Sequence, residues 1–248
     1  FRADFHVYIT KYSKNNINLN SKAMKTYRIF VISAFILFLL NACAPAYIPT
    51  VINTPQFSNK GEFQGSVHTA TSGFNSQFGY AFTDHFGLIL NGSYMNSTSD
   101  SSTNFHKHQL IELAPGYFTK MGKHGHFEVF AGGGYGKIQS EYTSPLWSNT
   151  AETYNTKFFL QPTLGFTSTV FDFGFSSRFV MVNFKQKNIS MTQYFLEPAF
   201  TVKLGYKYVK AVLQVGLSFP TNKQNLAYDY EPVFFSLGLQ ATLGRDYD

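Results

Sequence analysis

The chain is poor in charge, cysteine and tryptophan. One Cys in 248 residues excludes a disulfide framework and any thiolate-based zinc site. Charged residues make up 14%, against about 25% in an average globular protein, while 28 Phe and 16 Tyr raise the aromatic share to 18%. That balance argues against an ordinary soluble domain. Hydrophobic residues at 44% exclude intrinsic disorder. No apolar run reaches the roughly 20 residues that a transmembrane helix needs, which removes a permanent helical span.

The formal charge of +6 suggests nucleic acid or an anionic surface until the charges are located. Residues 1–42 hold Arg2, Lys11, Lys14, Lys22, Lys25 and Arg28 against the single acid Asp4, so the remainder is nearly neutral. A phosphate-binding groove needs bases gathered on one face, and none remains beyond the leader. Nucleic acid is therefore not an expected partner.

What is present begins with that leader. Lys25 and Arg28 precede an uncharged apolar run from Ile29 to Leu40, so residues 24–42 read as a secretory signal peptide. Leu40-Asn41-Ala42-Cys43 looks like a bacterial lipoprotein box, with Cys43 as the residue that would receive diacylglycerol. The same residues also fit an ordinary cleavage after Ala42, since Asn41 is a less usual occupant of its position. Two acyl chains bury enough methylenes to hold a protein durably on a membrane. Residues 1–23 precede Met24, carry no periodic pattern and read as upstream translation outside the fold. Residues 43–60, with Pro45, Pro49 and Pro55 among Asn, Thr and Ser, suit an extended tether.

From Gly61 to Gly244 the apolar period is 2, not 3.6. Ten candidate strands follow, at about 61–71, 74–83, 86–97, 106–119, 126–141, 155–167, 170–184, 191–204, 208–219 and 230–243. In the third, Phe86, Leu88, Leu90 and Tyr94 oppose Gly87, Asn91 and Ser93. In the seventh, Phe171, Phe173, Phe175 and Phe179 oppose Asp172, Gly174, Ser176 and Arg178. In the ninth, Val209 to Phe219 oppose Lys210, Gln214, Gly216 and Ser218. Alternation alone does not say which face meets solvent. Joints help: Thr83–His85, Met121–Gly125, Ser168-Thr169 and Gly205–Lys207 are short, while Ser97–Phe105, Tyr142–Tyr154 and Pro220–Asp229 are long and polar and those after the first and seventh strands are tighter, so joint length largely alternates. Short turns at one end, long loops at the other and tyrosines at strand ends are the pattern of an even-stranded membrane barrel.

Lipobox, dyad-repeat strands and alternating joint lengths together resemble a small, lipid-anchored bacterial outer-membrane β-barrel protein. The resemblance implies an all-β fold, a closed antiparallel transmembrane barrel of ten strands with eight as the alternative, preceded by a signal peptide. It implies a Gram-negative outer-membrane location with both barrel ends periplasmic, a covalent lipid at Cys43, and no cofactor or metal. It does not distinguish a surface-binding or assembly component from a small porin-like channel, a rim-located acyl hydrolase or transferase, or a soluble lipid carrier in the periplasm. The final strand ends without the terminal aromatic common in such barrels.

Candidate chemistry clusters on the polar face. Glu112 near Pro115, Gln161-Pro162, Glu197-Pro198 and Glu231-Pro232 recur in alternate strands, and parity puts the Glu or Gln inward with each Pro toward lipid at a bulge or rim. With Arg178, Lys203 and Lys210 as partners, Glu112, Gln161, Glu197 and Glu231 form an expected lumen network of ion pairs and hydrogen bonds. Tyr142, Trp147 and Tyr154 in a long loop form an expected contact spot for other envelope proteins or glycans. His106/His108 and His124/His126 are too far apart along one strand to close a four-ligand site, and read as surface or turn histidines. Glu62, Ser66 and His68 share one face of the first strand without a Gly-x-Ser-x-Gly elbow. Residues 131–138 miss the first Gly and the Ser/Thr of a phosphate loop, and read as small residues that let strands approach.

Overall fold

A computed structural model describes residues 47–98, 105–144, 147–186, 189–221 and 230–247. Eleven β-elements occur in chain order: β1 (Phe63–Ala70), β2 (Gly73–Ala81), β3 (Phe86–Thr98), β4 (Phe105–Met121), β5 (Gly125–Ser144), β6 (Trp147–Thr167), β7 (Phe171–Gln186), β8 (Ile189–Tyr206), β9 (Val209–Leu217), β10 (Phe219–Pro220) and β11 (Val233–Leu243). Consecutive strands pair antiparallel from β1 to β9, β9 pairs with β11, and β11 returns to β1 with Phe63 opposite Leu243. β10 continues β9 past Ser218, pairing like it with β8, while the Ser218 amide donates to Pro232 O at 2.8 Å. The result is a closed antiparallel barrel with ten positions round the ring. Closure leaves no unpaired edge, which hydrocarbon demands of a spanning sheet.

Strand parity decides what faces where. Phe74, Phe78, Leu88, Leu90, Leu164, Phe175, Phe200, Leu213, Val215, Leu237 and Leu239 all lie on the outer wall, exposed to the surroundings. Gln64, Gln77, Asn91, Glu112, Gln161, Arg178, Lys203 and Gln214 are buried on the inner wall. The apolar face is thus the outside of the barrel, the arrangement of a protein dissolved in lipid. Among the described residues no helix is long and apolar enough to cross a membrane.

Two features depart from the sequence expectation. The long polar loop expected at Tyr142–Tyr154 is strand: β5 and β6 pair from Gly125↔Phe166 up to Tyr142↔Asn149 and Ser144↔Trp147. Thr and Tyr, both good strand formers, recur through this stretch and sustain the ladder. At 20 residues, β5 extends about 66 Å and rises roughly 50 Å at a tilt of about 40°, twice the height of an apolar band of about 25 Å. The prolines are not at bulges either. At Pro115 the β4–β5 ladder skips from Leu113↔Gly133 to Gly116↔Phe130, and at Pro162 the β6–β7 ladder skips from Leu160↔Phe179 to Thr163↔Ser176, each resuming in register. Proline removes a donor without adding a residue, so the strand loses a bond and keeps its alternation.

Candidate functional site in the lumen

The expected tether does not hang outside the barrel. Residues 47–57 run through its interior, and Thr50–Phe57 are all buried. At the turn end, where β1 starts and β11 stops, Gly61 N donates to Ala81 O (2.7 Å) and Asn59 Nδ2 to Gly244 O (2.7 Å). From there the segment climbs through the lumen to Tyr47, which forms an isolated parallel bridge with Tyr230 just ahead of β11. Its burial has a plain cause. Val51, Ile52 and Phe57 are apolar, and the barrel offers them pockets that water would otherwise fill.

The way this segment is held is the distinctive chemistry of the molecule. Seven consecutive main-chain carbonyls each meet a side-chain donor from the wall. Gln77 Nε2 donates to Val51 O (2.8 Å), Gln214 Nε2 to Ile52 O (2.8 Å), Gln161 Nε2 to Asn53 O (2.7 Å) and Lys203 Nζ to Thr54 O (2.6 Å). Gln64 Nε2 donates to Pro55 O (2.7 Å), and Arg245 Nη2 reaches both Pro55 O (3.0 Å) and Gln56 O (2.9 Å). Finally His126 Nδ1 lies 3.1 Å from Phe57 O, and since a carbonyl only accepts, this nitrogen carries the proton while Nε2 accepts from Thr167 Oγ1 at 2.6 Å. Two amides are matched as well: Ile52 N donates to Gln214 Oε1 and Phe57 N to Glu128 Oε1, both at 2.7 Å. A buried segment outside the sheet ladders needs such partners, because each orphaned main-chain group costs about 1–3 kcal/mol.

The wall is also shaped to the segment. Phe57 packs against Phe118 and Phe130, with ring centroids 5.3 and 6.4 Å away. It lies over Gly79 and Gly87, where a β-carbon would come within 2.9 and 2.7 Å of its ring. Ile52 packs with Ala199 and Phe234. At the other end Tyr47 stacks on Phe195 (4.3 Å) and donates its hydroxyl proton to Glu197 Oε1 (2.6 Å).

Ionic groups sit on both sides of this path. Glu112 accepts from Lys157 at 2.9 Å and faces Arg178 at 3.5 Å, with Asn91 Nδ2 at 3.1 Å. Thr50 Oγ1 lies among all three charges, and Arg178 is forked onto Gln161 Oε1 at 3.1 and 2.9 Å. Nearer the turn end, Lys210 pairs with Asp172 (2.6 Å), and Arg245 with Glu62 (2.8 Å) and Asp172 (3.5 Å). Little free space remains beside the segment. Water finds no room among Thr50, Asn75, Gln77, Asn91 and Glu112. About 20 Å³ is open beside Tyr47, His108 and Asn155, and about 80 Å³ by Lys120, His126 and Arg245. The smaller is about one water, the larger a few.

Of the residues singled out in the sequence, Glu112, Gln161, Arg178, Glu197, Lys203 and Lys210 all lie buried on the inner wall. Glu231 does not join them as a strand residue. It precedes β11, is only partly buried, and its amide donates to Tyr47 O at 2.9 Å. The adjacent Pro232 ends pairing there, and burial raises the Glu231 carboxyl above its usual range while the Val233 amide opposes that shift. His108 and His126 are buried on the inner wall, not at the surface or in a turn, because they share parity with Glu112 and Glu128. Ser66 and His68 are hydrogen-bonded at 2.9 Å, but both are buried and Glu62 is engaged by Arg245. Among the described residues no group of three His, Cys, Asp or Glu could hold a metal. Tyr154 is exposed, donates to Glu152 (2.6 Å) and lies under Lys137, whose Nζ is 5.4 Å from the ring centroid. Tyr142 and Trp147 have backbone in the β5–β6 hairpin, and their side chains lie outside the described residues. Cys43 and residues 1–42 also lie outside them.

Lys157, Asp172, Glu128, Arg245 and the whole of 47–57 escaped the sequence-based lumen network. Parity with Gln161 and Arg178 marks Lys157 and Asp172 as inward. Arg245 follows the last strand, and no periodicity reaches it.

No protein-family model matches the chain, and no curated protein does. Among solved structures it is similar to the translocator domain of autotransporter NalP from Neisseria meningitidis, at 14% identity over 73% of this chain and 86% of that one, with a TM-score of 0.45. It is also similar to the N-terminal β-barrel domain of Pseudomonas aeruginosa OprF, at 11% identity over 75% of this chain and 100% of that one, TM-score 0.35. The fold, a closed antiparallel β-barrel with an apolar outer wall, rests on the strand pairing and burial themselves.

Proposed function

We propose that this protein is an outer-membrane barrel lipoprotein that works without catalysis, as a surface-binding or assembly component whose lumen is closed by its own residues 47–57. The observation that carries the reading is the run of seven matched carbonyls, Val51 to Phe57, inside the barrel, with only small cavities at Thr50, Tyr47 and His126 beside them. A barrel built to conduct would leave those glutamines, Lys203 and Arg245 facing water. The tall β5–β6 hairpin, with Tyr142, Trp147 and Tyr154, is the surface such a component offers to envelope proteins or glycans. Aromatic side chains give large contact area at low entropic cost. Lipid at Cys43 adds a second hold on the membrane.

Planar-bilayer recording tests the closed lumen. The intact protein is expected to be electrically silent, while a form lacking residues 47–57, checked for the fast-migrating folded band on unheated gels, is expected to conduct in discrete steps. Stepwise conductance from the intact protein would overturn the reading in favour of a small solute channel. Lipid modification is disfavoured by the burial of Ser66 and His68 on the inner face of β1, away from the lipid-facing wall.

A further inference from the structure

We infer that the polypeptide upstream of Tyr47 leaves the barrel at its loop end, so that the segment around Cys43 emerges on the cell-surface side although β1 and β11 both meet at the turn end. The direction follows from what each residue touches. Ser58 to Gly61 lie by Glu62, Asp84 and Gly244 at the turn end, where Ser58 N donates to Glu62 Oε2 (2.7 Å) and Lys60 N to Asp84 Oδ1 (3.0 Å). Asn53 is at mid-height, its side-chain amide on Asn91 Oδ1 (2.9 Å) and Phe78 O (3.1 Å). Thr50 is by Glu112, and Tyr47 is by Phe184, Phe195 and Tyr230, which lie toward the ends of β7, β8 and β11 opposite to the end where β1 starts and β11 stops.

Distances make the passage complete. The ten steps from Tyr47 to Phe57 can span at most about 33 Å, against an apolar band of about 25 Å, and the contacts at the two ends of the segment place those ends at opposite ends of the strands. Cys43 is four residues further on, a reach of about 14 Å, too little to return across that band. This inference deepens the proposed function: if Cys43 carries lipid, as that reading holds, its acyl chains enter the leaflet at the loop end and not the periplasmic leaflet.

The test uses a membrane-impermeant maleimide on whole cells carrying the full chain. Three single substitutions are compared: Ala46→Cys, Pro145→Cys between β5 and β6 in sequence, and Lys123→Cys in the turn between β4 and β5. Ala46→Cys is expected to label with the same accessibility as Pro145→Cys, on intact cells, while Lys123→Cys labels only after permeabilisation. If Ala46→Cys instead follows Lys123→Cys, the threading is overturned. Should a variant lack the folded band, the double substitution Asn53→Cys/Asn91→Cys provides a second measurement: a disulfide in membranes from cells supports the passage, and its absence under oxidant overturns it. The unsubstituted chain separates the two claims. No labelling at Cys43 together with incorporation of labelled palmitate supports the lipid, whereas labelling of Cys43 on intact cells removes the lipid anchor and leaves the threading standing.

Discussion

Glu112 offers the sharpest test of a dry, chain-filled lumen. Its carboxylate is 1% exposed, and Lys157 and Arg178, which face it at 2.9 and 3.5 Å, are 1% and 0% exposed. Substituting Glu112→Gln keeps the shape but leaves two cations facing each other around Thr50 with one anion removed. If the site is sealed, breaking such a buried pair costs about 3–5 kcal/mol, because the orphaned charges have no water to turn to. If the lumen is wet, the same pair is screened and worth about 0–1 kcal/mol. The two pictures therefore differ by several kcal/mol in one measurement. The assay is urea-dependent loss of the fast-migrating folded band in detergent, read as a midpoint and slope for parent and variant. Adding Lys157→Met to Glu112→Gln should recover a good part of the loss, since one of the stranded charges then disappears. A Glu112→Gln unfolding free energy, from midpoint and slope, within about 1 kcal/mol of the parent, with no gain from Lys157→Met, would refute the sealed lumen and the plug with it.

Further outcomes follow from the same geometry. Gly79→Val should clash with the Phe57 ring and cost about 1–3 kcal/mol by overpacking, and Phe57→Ala should relieve part of that loss, measured by the same unfolding curves. Substituting Leu213→Arg on the outer wall should cost about 2–4 kcal/mol if that face meets hydrocarbon, measured by refolding into vesicles; indifference would mean that the wall is solvated. Trp147 is the only tryptophan, and a hairpin that rises roughly 25 Å beyond the apolar band should leave its fluorescence quenchable by aqueous iodide but not by brominated lipid chains. Deleting the gene should leave the acylation of lipid A and phospholipids unchanged by mass spectrometry, and a changed pattern would instead favour a lipid-modifying enzyme.

The barrel was legible in residues 61–244 because a membrane strand writes its environment into every second position. Phe86, Leu88 and Leu90 against Asn91 and Ser93, or Phe171 to Phe179 against Asp172 and Arg178, need no knowledge of neighbours to be read as two faces. Short turns at 83–85, 121–125 and 205–207 carry the antiparallel order, and local parity carries Glu112, Gln161, Arg178, Glu197, Lys203 and Lys210 to the inner wall. Which strand closes on which, and what fills the space they enclose, are long-range facts. Residues 47–57 have no periodicity of their own, and three prolines nearby give them the look of a tether. Their place is set by donors scattered from Gln64 to Arg245, matched to carbonyls that every sequence possesses. Only the closed ring brings those donors to one line, and so only the tertiary structure shows that this barrel is threaded by its own chain.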